Sequence, residues 1–167
     1  MTEHNTYLRP ATADLEQLRE RFAPIIERVA EGNLERERKR IFPYEQVRWL
    51  NDAGFGTVRI PVEFGGLGAS LEQAFALLAD VATADPNVAH VFRNHLAFVE
   101  DRLNAPVSAV NDAWIKRFLN GEFVGGGWTE ANGLTQANMA TRITAADDHY
   151  RLTGSKFYAT GSLFADW

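Results

Sequence analysis

Apolar residues recur at steps of three and four between Asp14 and Glu31, where Leu15, Leu18, Phe22, Ile25 and Val29 make one stripe of a helix that Gly32 ends. Pro24 falls inside this stripe and predicts a kink, because its ring removes a backbone donor and crowds the preceding turn. Glu35 to Arg40 alternates acid and base and reads as a solvated helix face. Pro43 opens a helix carrying Val47 and Leu50, with Gly54 as its stop. The glycine-rich stretch from Phe55 to Ala69, which contains Pro61, must turn sharply instead of continuing as helix. Ser70 and Gln73 make a capping box for a helix whose inward face is read as Leu71, Ala74, Phe75, Leu78 and Val81. Asp85 and Pro86 open a helix to about Leu103, with Val88, Val91, Phe92, His95 and Val99 on one side and His90 and Asn94 on another. A last helix runs from Ser108 through Val110, Trp114, Ile115 and Phe118 to Gly121.

After Gly121 the pattern changes period. Phe123 to Thr129, Ala140 to Ala145, Tyr150 to Thr153 and Lys156 to Thr160 are short runs rich in Thr, aromatic and β-branched residues, and they read as strands. The middle two are joined by a hairpin turn through Ala146, Asp147, Asp148 and His149. The expected fold class is therefore α+β: an all-α N-terminal domain over residues 1–121, then an antiparallel β-domain begun over residues 122–167. Phe164, Ala165 and Trp167 have nothing after them to cover their side chains, so the β-domain reads as incomplete and the chain as cut short.

Composition narrows the function. Seventeen Lys plus Arg against twenty-two Asp plus Glu, a net charge of -5, argue against a nucleic-acid partner. The absence of cysteine removes disulfide scaffolds, thiolate nucleophiles and Cys-type zinc sites. A polar start at Met1 to Pro10 and the lack of a long apolar run predict a cytoplasmic protein with no membrane partner. His90 and His95 are five residues apart on one helix and cannot converge on a metal as an i, i+4 pair does, so no metal site is expected. No Gly-x-Ser-x-Gly elbow exposes a serine nucleophile.

Gly125, Gly126 and Gly127 lead into Trp128 and not into a helix, so they are not a dinucleotide fingerprint. Two readings stay open for them: a strand relaxed by glycine to pack on a helix, or backbone laid against a flat ligand. Pro61-Val62-Glu63-Phe64-Gly65-Gly66-Leu67-Gly68, Gly127-Trp128-Thr129-Glu130 and Gly154-Ser155-Lys156-Phe157-Tyr158-Ala159-Thr160-Gly161 resemble, in order, three motifs of the acyl-CoA dehydrogenase superfamily. The resemblance implies an N-terminal helical domain, a middle β-domain and a C-terminal four-helix bundle that lies outside this sequence and carries the dehydrogenases' catalytic carboxylate. It also implies a flavin, FMN or FAD. Trp128 and Thr129 would meet its pyrimidine edge, Tyr158, Ala159 and Thr160 would lie along the ring, and Thr135 keeps a hydroxyl where the family has Gly-Ser/Thr-Asp.

The run His90-Val91-Phe92-Arg93-Asn94-His95-Leu96 is closer to the flavin-dependent monooxygenase branch, which includes dibenzothiophene monooxygenase and the sulfur-acquisition oxidoreductases. There the first histidine faces the substrate pocket, which makes His90 the candidate catalytic residue, since an imidazole exchanges protons near neutrality. Asn94 stands where that branch has a tyrosine, and is the candidate substrate contact; Gly126 stands where it has an asparagine. His95, on the apolar stripe, is read as a satisfied core residue. The resemblance thus implies a reduced-flavin monooxygenase acting on a small organic or organosulfur molecule, supplied by a separate flavin reductase and assembled as a dimer or tetramer. The alternatives are an FAD-dependent acyl-CoA dehydrogenase and an inactive helical piece of such an enzyme.

Overall fold

The computed structural model of the protein describes residues 6–130 and 138–167. Among them are six α-helices: α1 (Leu15–Ala30), α2 (Asn33–Lys39), α3 (Tyr44–Asp52), α4 (Leu71–Ala84), α5 (Pro86–Asn104) and α6 (Ala109–Leu119). One antiparallel pair follows, β1 (Arg142–Ala146) with β2 (His149–Thr153), so the architecture is α+β as expected. No helix among the described residues is long and apolar enough to cross a membrane.

Local chemistry accounts for the helix ends. The Asp14 carboxylate accepts from the Gln17 amide at 3.0 Å, and Ser70 and Gln73 exchange reciprocal bonds of 3.0 and 2.7 Å in the predicted capping box. Asp85 accepts from the Asn87 and Val88 amides, and Pro86 takes the first helical position of α5, where its missing N–H is no loss. Pro24 sits on the exposed side of α1, and the helix runs through it unbroken. Asp85 also explains a departure from the solvated reading of the charged run. Arg36 turns inward from α2 to pair with this buried carboxylate at 2.8 Å and to donate to the carbonyls of Val29 and Glu31.

A chain of edge-to-face rings runs through the core: Phe22 of α1 on Phe55, Phe55 on Phe92 of α5, and Phe92 on Phe123, at centroid separations of 5.2, 5.0 and 5.2 Å. Helices and the first post-helical segment therefore share one interior. Between α3 and α4 the chain folds back on itself, with Gly68 and Ala69 donating to the carbonyls of Ile60 and Val58 at 2.9 and 3.0 Å. Gly66 is obligatory in this loop, because a Cβ there would lie 2.1 Å from the Ile60 carbonyl oxygen.

Three expectations change. On α4 the buried face is Ala74, Leu77, Val81 and Ala84, while Leu71 and Phe75 are exposed. The helix carries apolar residues on two flanks, and periodicity does not say which one meets α1 and α5. On α6 Val110 is exposed and Asn111 is buried, because Asn111 bonds Arg102 and the Pro106 carbonyl. The third concerns the strands. β1 and β2 pair in the register Ile143 with Leu152 around a two-residue turn, but Phe123–Thr129 and Lys156–Thr160 are not continuous strands. They meet only at two isolated antiparallel bridges, Gly126 with Thr160 and Thr129 with Phe157. The end of the chain is covered only in part: Phe164 and Ala165 pack on the core, Asp166 and Trp167 donate to the Phe123 carbonyl and Gly125 donates to the Trp167 carbonyl, but the Trp167 ring stays 56% exposed.

Candidate functional site

The site is built on α5, whose two sides do different work. His95 is 1% exposed and bridges two backbone groups: its Nε2 lies 3.0 Å from the Gly56 carbonyl oxygen, and its Nδ1 accepts from the Val124 amide at 3.1 Å. That pair of bonds defines the neutral Nε2–H tautomer. Burial drives its pKa down to about 4, so the ring stays neutral and stacks on Phe123 at 4.4 Å. Its role is structural, as read from the sequence. By tying α5 to Val124 it aims the neighbouring turn of the helix at the segment that follows.

On that other side, His90 and Asn94 face the two bridged segments. The Asn94 amide donates to the carbonyls of Gly126 and Thr160 at 3.2 and 3.0 Å, and Thr160 also accepts from the Gly126 amide at 3.1 Å. One carboxamide thus staples helix to strand where the segments cross. A Cβ at Gly126 would lie 3.0 Å from Asn94 Nδ2, so the glycine makes room for the staple. Both Asn94 donors point into the protein backbone. One turn earlier, His90 Nε2 lies 3.5 Å from Thr160 Oγ1, the long edge of hydrogen-bond range.

These groups border an open cleft of about 460 Å³ lined by His90, Asn94, Gly126, Trp128, Thr129, Tyr158, Ala159 and Thr160, with Arg93 at its rim. Seven residues singled out from the sequence for catalysis, flavin or substrate contact come together here, although they lie as far apart in the chain as His90 and Thr160. Thr135 lies outside the described residues. Trp128 and Tyr158 stand at the mouth, 66% and 82% exposed. Tyr158 holds φ 53, a left-handed conformation that costs a non-glycine residue about 1 kcal/mol. The glycines themselves lean on the protein: a Cβ at Gly125 would meet Ser162 at 2.8 Å and one at Gly127 would meet Lys156 at 3.2 Å, which favours the packing reading of the triplet.

Sequence reasoning missed a clasp beneath the cleft. The Glu130 carboxylate is buried, bonds Lys156 at 2.8 Å and accepts from the Ala140 and Thr141 amides at 2.6 and 2.9 Å. The Lys156 ammonium, then the Thr141 and Ala140 donors, hold its pKa down at about 2. Lys156 also donates to the Trp128 carbonyl at 3.3 Å, so the clasp joins the two bridged segments to each other and to the start of the β1–β2 hairpin. Its signal was available, since Glu130 and Lys156 each sit inside one of the quoted motifs, but no spacing rule pairs residues so far apart.

The family model described as the N-terminal domain of acyl-CoA dehydrogenase matches residues 12–122. The chain belongs to the acyl-CoA dehydrogenase family. Within that family it is similar to proteins of two kinds. It is 29% identical over 159 residues to the "Probable FMNH2-dependent monooxygenase SfnC" of Pseudomonas putida, across 95% of this chain and 37% of that protein. It is 28% identical over 141 residues to the "Probable acyl-CoA dehydrogenase fadE25" of Mycobacterium bovis, across 83% of this chain and 36% of that protein. The crystal structure of FMN-bound TdsC from Paenibacillus sp. A11-2 superposes with a TM-score of 0.78 at 23% identity, over 90% of this chain and 38% of that one, which shows the shared fold. The chain thus spans less than two fifths of the length of these acyl-CoA dehydrogenase-family relatives.

Proposed function

We propose that the cleft below His90 is a flavin site and that the chain forms the flavin- and substrate-facing part of a reduced-flavin monooxygenase acting on a small organic or organosulfur molecule. The observation that carries this reading is the convergence of His90, Trp128, Thr129, Tyr158, Ala159 and Thr160 on one open cleft. The similarity to an FMNH2-dependent monooxygenase and to an FMN-bound fold points the same way.

The residues present fit such a group. Two large aromatic rings stand exposed at the mouth, the flat apolar surface that a planar heterocycle covers. Thr129 and Thr160 bring hydroxyls that donate or accept at a ring edge. When bound, a reduced flavin supplies the electrons and the reaction with oxygen. Trp128, Thr129, Tyr158 and Ala159 would hold it, and Asn94 keeps α5 in register with these residues. His90 holds a proton at Nε2 and passes it across the cleft, with Thr160 Oγ1 as its nearest partner. A separate reductase supplies the reduced flavin, and a dimer or tetramer is the expected assembly.

The test uses the full-length protein with a flavin reductase, NADH and ¹⁸O₂, and a panel of thiophenes and alkyl sulfones. One labelled oxygen enters the product, and His90→Ala lowers turnover by about 10²–10⁴-fold, as loss of a general acid does. The acyl-CoA dehydrogenase reading, favoured by the relative from Mycobacterium bovis, replaces this one if the label stays out of product and anaerobic acyl-CoA bleaches the bound flavin.

A further inference from the structure

On the far side of the His90–Thr160 pair lies a second, largely apolar chamber of about 430 Å³. His90, Ala159 and Thr160 line both spaces, so they form the septum between this chamber and the cleft described above. Phe42, Val91, Leu163 and Phe164 supply its apolar walls. Three of the charged residues that line it, Arg36, Glu37 and Asp85, are paired with other lining residues. Arg36 is bound to Asp85 at 2.8 Å, and Glu37 accepts from the Asn87 side-chain Nδ2 at 2.9 Å. Arg40 also lines the chamber, and among the described residues its guanidinium has no ion pair or hydrogen bond.

The backbone at Arg40 adds a second observation. It ends α2 at φ 54 and ψ 42, with its amide bound to the carbonyls of Arg36 and Glu37. Glycine takes this left-handed position at no steric cost, whereas arginine does not. An arginine held in this left-handed conformation, beside an apolar chamber that abuts His90, is the kind of local strain that points to a binding role.

We infer that this chamber binds a small molecule with a compact apolar body and one acidic group, an alkyl sulfonate or carboxylate. The acid meets Arg40, the body lies among Phe42, Val91 and Leu163, and the far end of the molecule rests against His90 and Thr160. As the substrate of the proposed oxygenation this ligand rests on the flavin reading; as a bound ligand it does not.

Titration calorimetry with 1-hexanesulfonate, with hexan-1-ol as the neutral control and no flavin present, tests the chamber on the full chain. The sulfonate binds at least about tenfold more tightly than the alcohol, and Arg40→Gly weakens it by about ten- to hundredfold, the range of one charge-assisted contact. Arg40→Gly also keeps or raises the melting temperature, because it relieves the left-handed residue. Leu163→Trp, a change at an exposed position that fills the space, abolishes binding of both probes. The inference is overturned if hexanesulfonate fails to bind, or if the folded Arg40→Gly and Leu163→Trp variants bind it as the parent does. A parallel FMN titration separates the two proposals. FMN binding without sulfonate binding removes the chamber alone, and Arg40-dependent sulfonate binding without FMN binding supports the chamber and removes the flavin reading.

Discussion

Helix α5 and the β1–β2 hairpin are both rich in apolar residues, yet they are held in opposite ways. Phe92 of α5 has no exposed surface and meets Phe55 and Phe123 edge to face. In the hairpin, the register of Ile143 with Leu152 and Ala145 with Tyr150 sets those four side chains on one face, and Ile143, Tyr150 and Leu152 are all largely exposed. Backbone pairing defines the hairpin's shape, while the Glu130–Lys156 clasp anchors its base. The cleft lies between these regimes, with one wall on a rigid helix and the other on segments joined by two bridges and a clasp. Stability and placement of site residues therefore come from different interactions.

The largest contrast is in side-chain truncation. Phe92→Ala should cost about 3–5 kcal/mol, the range for a large ring removed from a packed core, whereas Leu152→Ala should stay within about 0.5 kcal/mol, as surface changes do. Urea denaturation of the two variants measures this, and similar costs would show that the hairpin's apolar face is covered in solution.

Acid should separate the regions next. His95 binds its proton at about 4 in the folded protein against an ordinary value of 6.5. Its contribution is present above pH 6.5 and is lost as pH falls toward 4, because only the unfolded state takes up the proton in that window. The total is about 3 kcal/mol, from 1.36 kcal/mol per pH unit. Replacing His95 with Gln should flatten that part of the stability profile. Glu130 acts lower: its contribution is present above its ordinary value of 4.5 and is lost as pH falls through about 2. Hydrogen exchange at the Ala140 and Thr141 amides should accelerate there, and Glu130→Gln should bring that acceleration up to neutral pH.

A loss of stability smaller than those at Phe92 and His95, and the most informative for the cleft, is expected at the staple. Asn94→Ala leaves the Gly126 and Thr160 carbonyls without their side-chain donor and should cost about 1–2 kcal/mol. It should also speed hydrogen exchange at the Gly126 amide without altering that of α5. Gly126→Ala should mimic it, since the added methyl displaces the same carboxamide. Unchanged exchange in both variants would show that the staple is not what holds the segment in place.

Much of this was legible in order along the chain. The caps at Ser70 and Asp85, the stripe on α1, the core role of His95 and the residues around the cleft all follow from local spacing or from motif resemblance. What failed was local information asked to decide a non-local question. Leu71 and Phe75 satisfy the same periodicity as Leu77 and Val81, and only the position of α1 and α5 chooses between the flanks. Arg36 reads as part of a solvated charge run until Asp85 is brought beneath it.

Periodicity, caps and glycine positions are properties of a few neighbouring residues, so the amino-acid sequence by itself determined the helices, the hairpin turn and the sharp loop at Gly65 and Gly66. Which apolar flank is buried, that Asn94 spends its amide on backbone carbonyls, and that Glu130 finds Lys156 were decided by the tertiary structure alone. Those outcomes depend on the free energy of burying or pairing a group against a partner distant in the chain, and no spacing along the chain encodes where that partner will be.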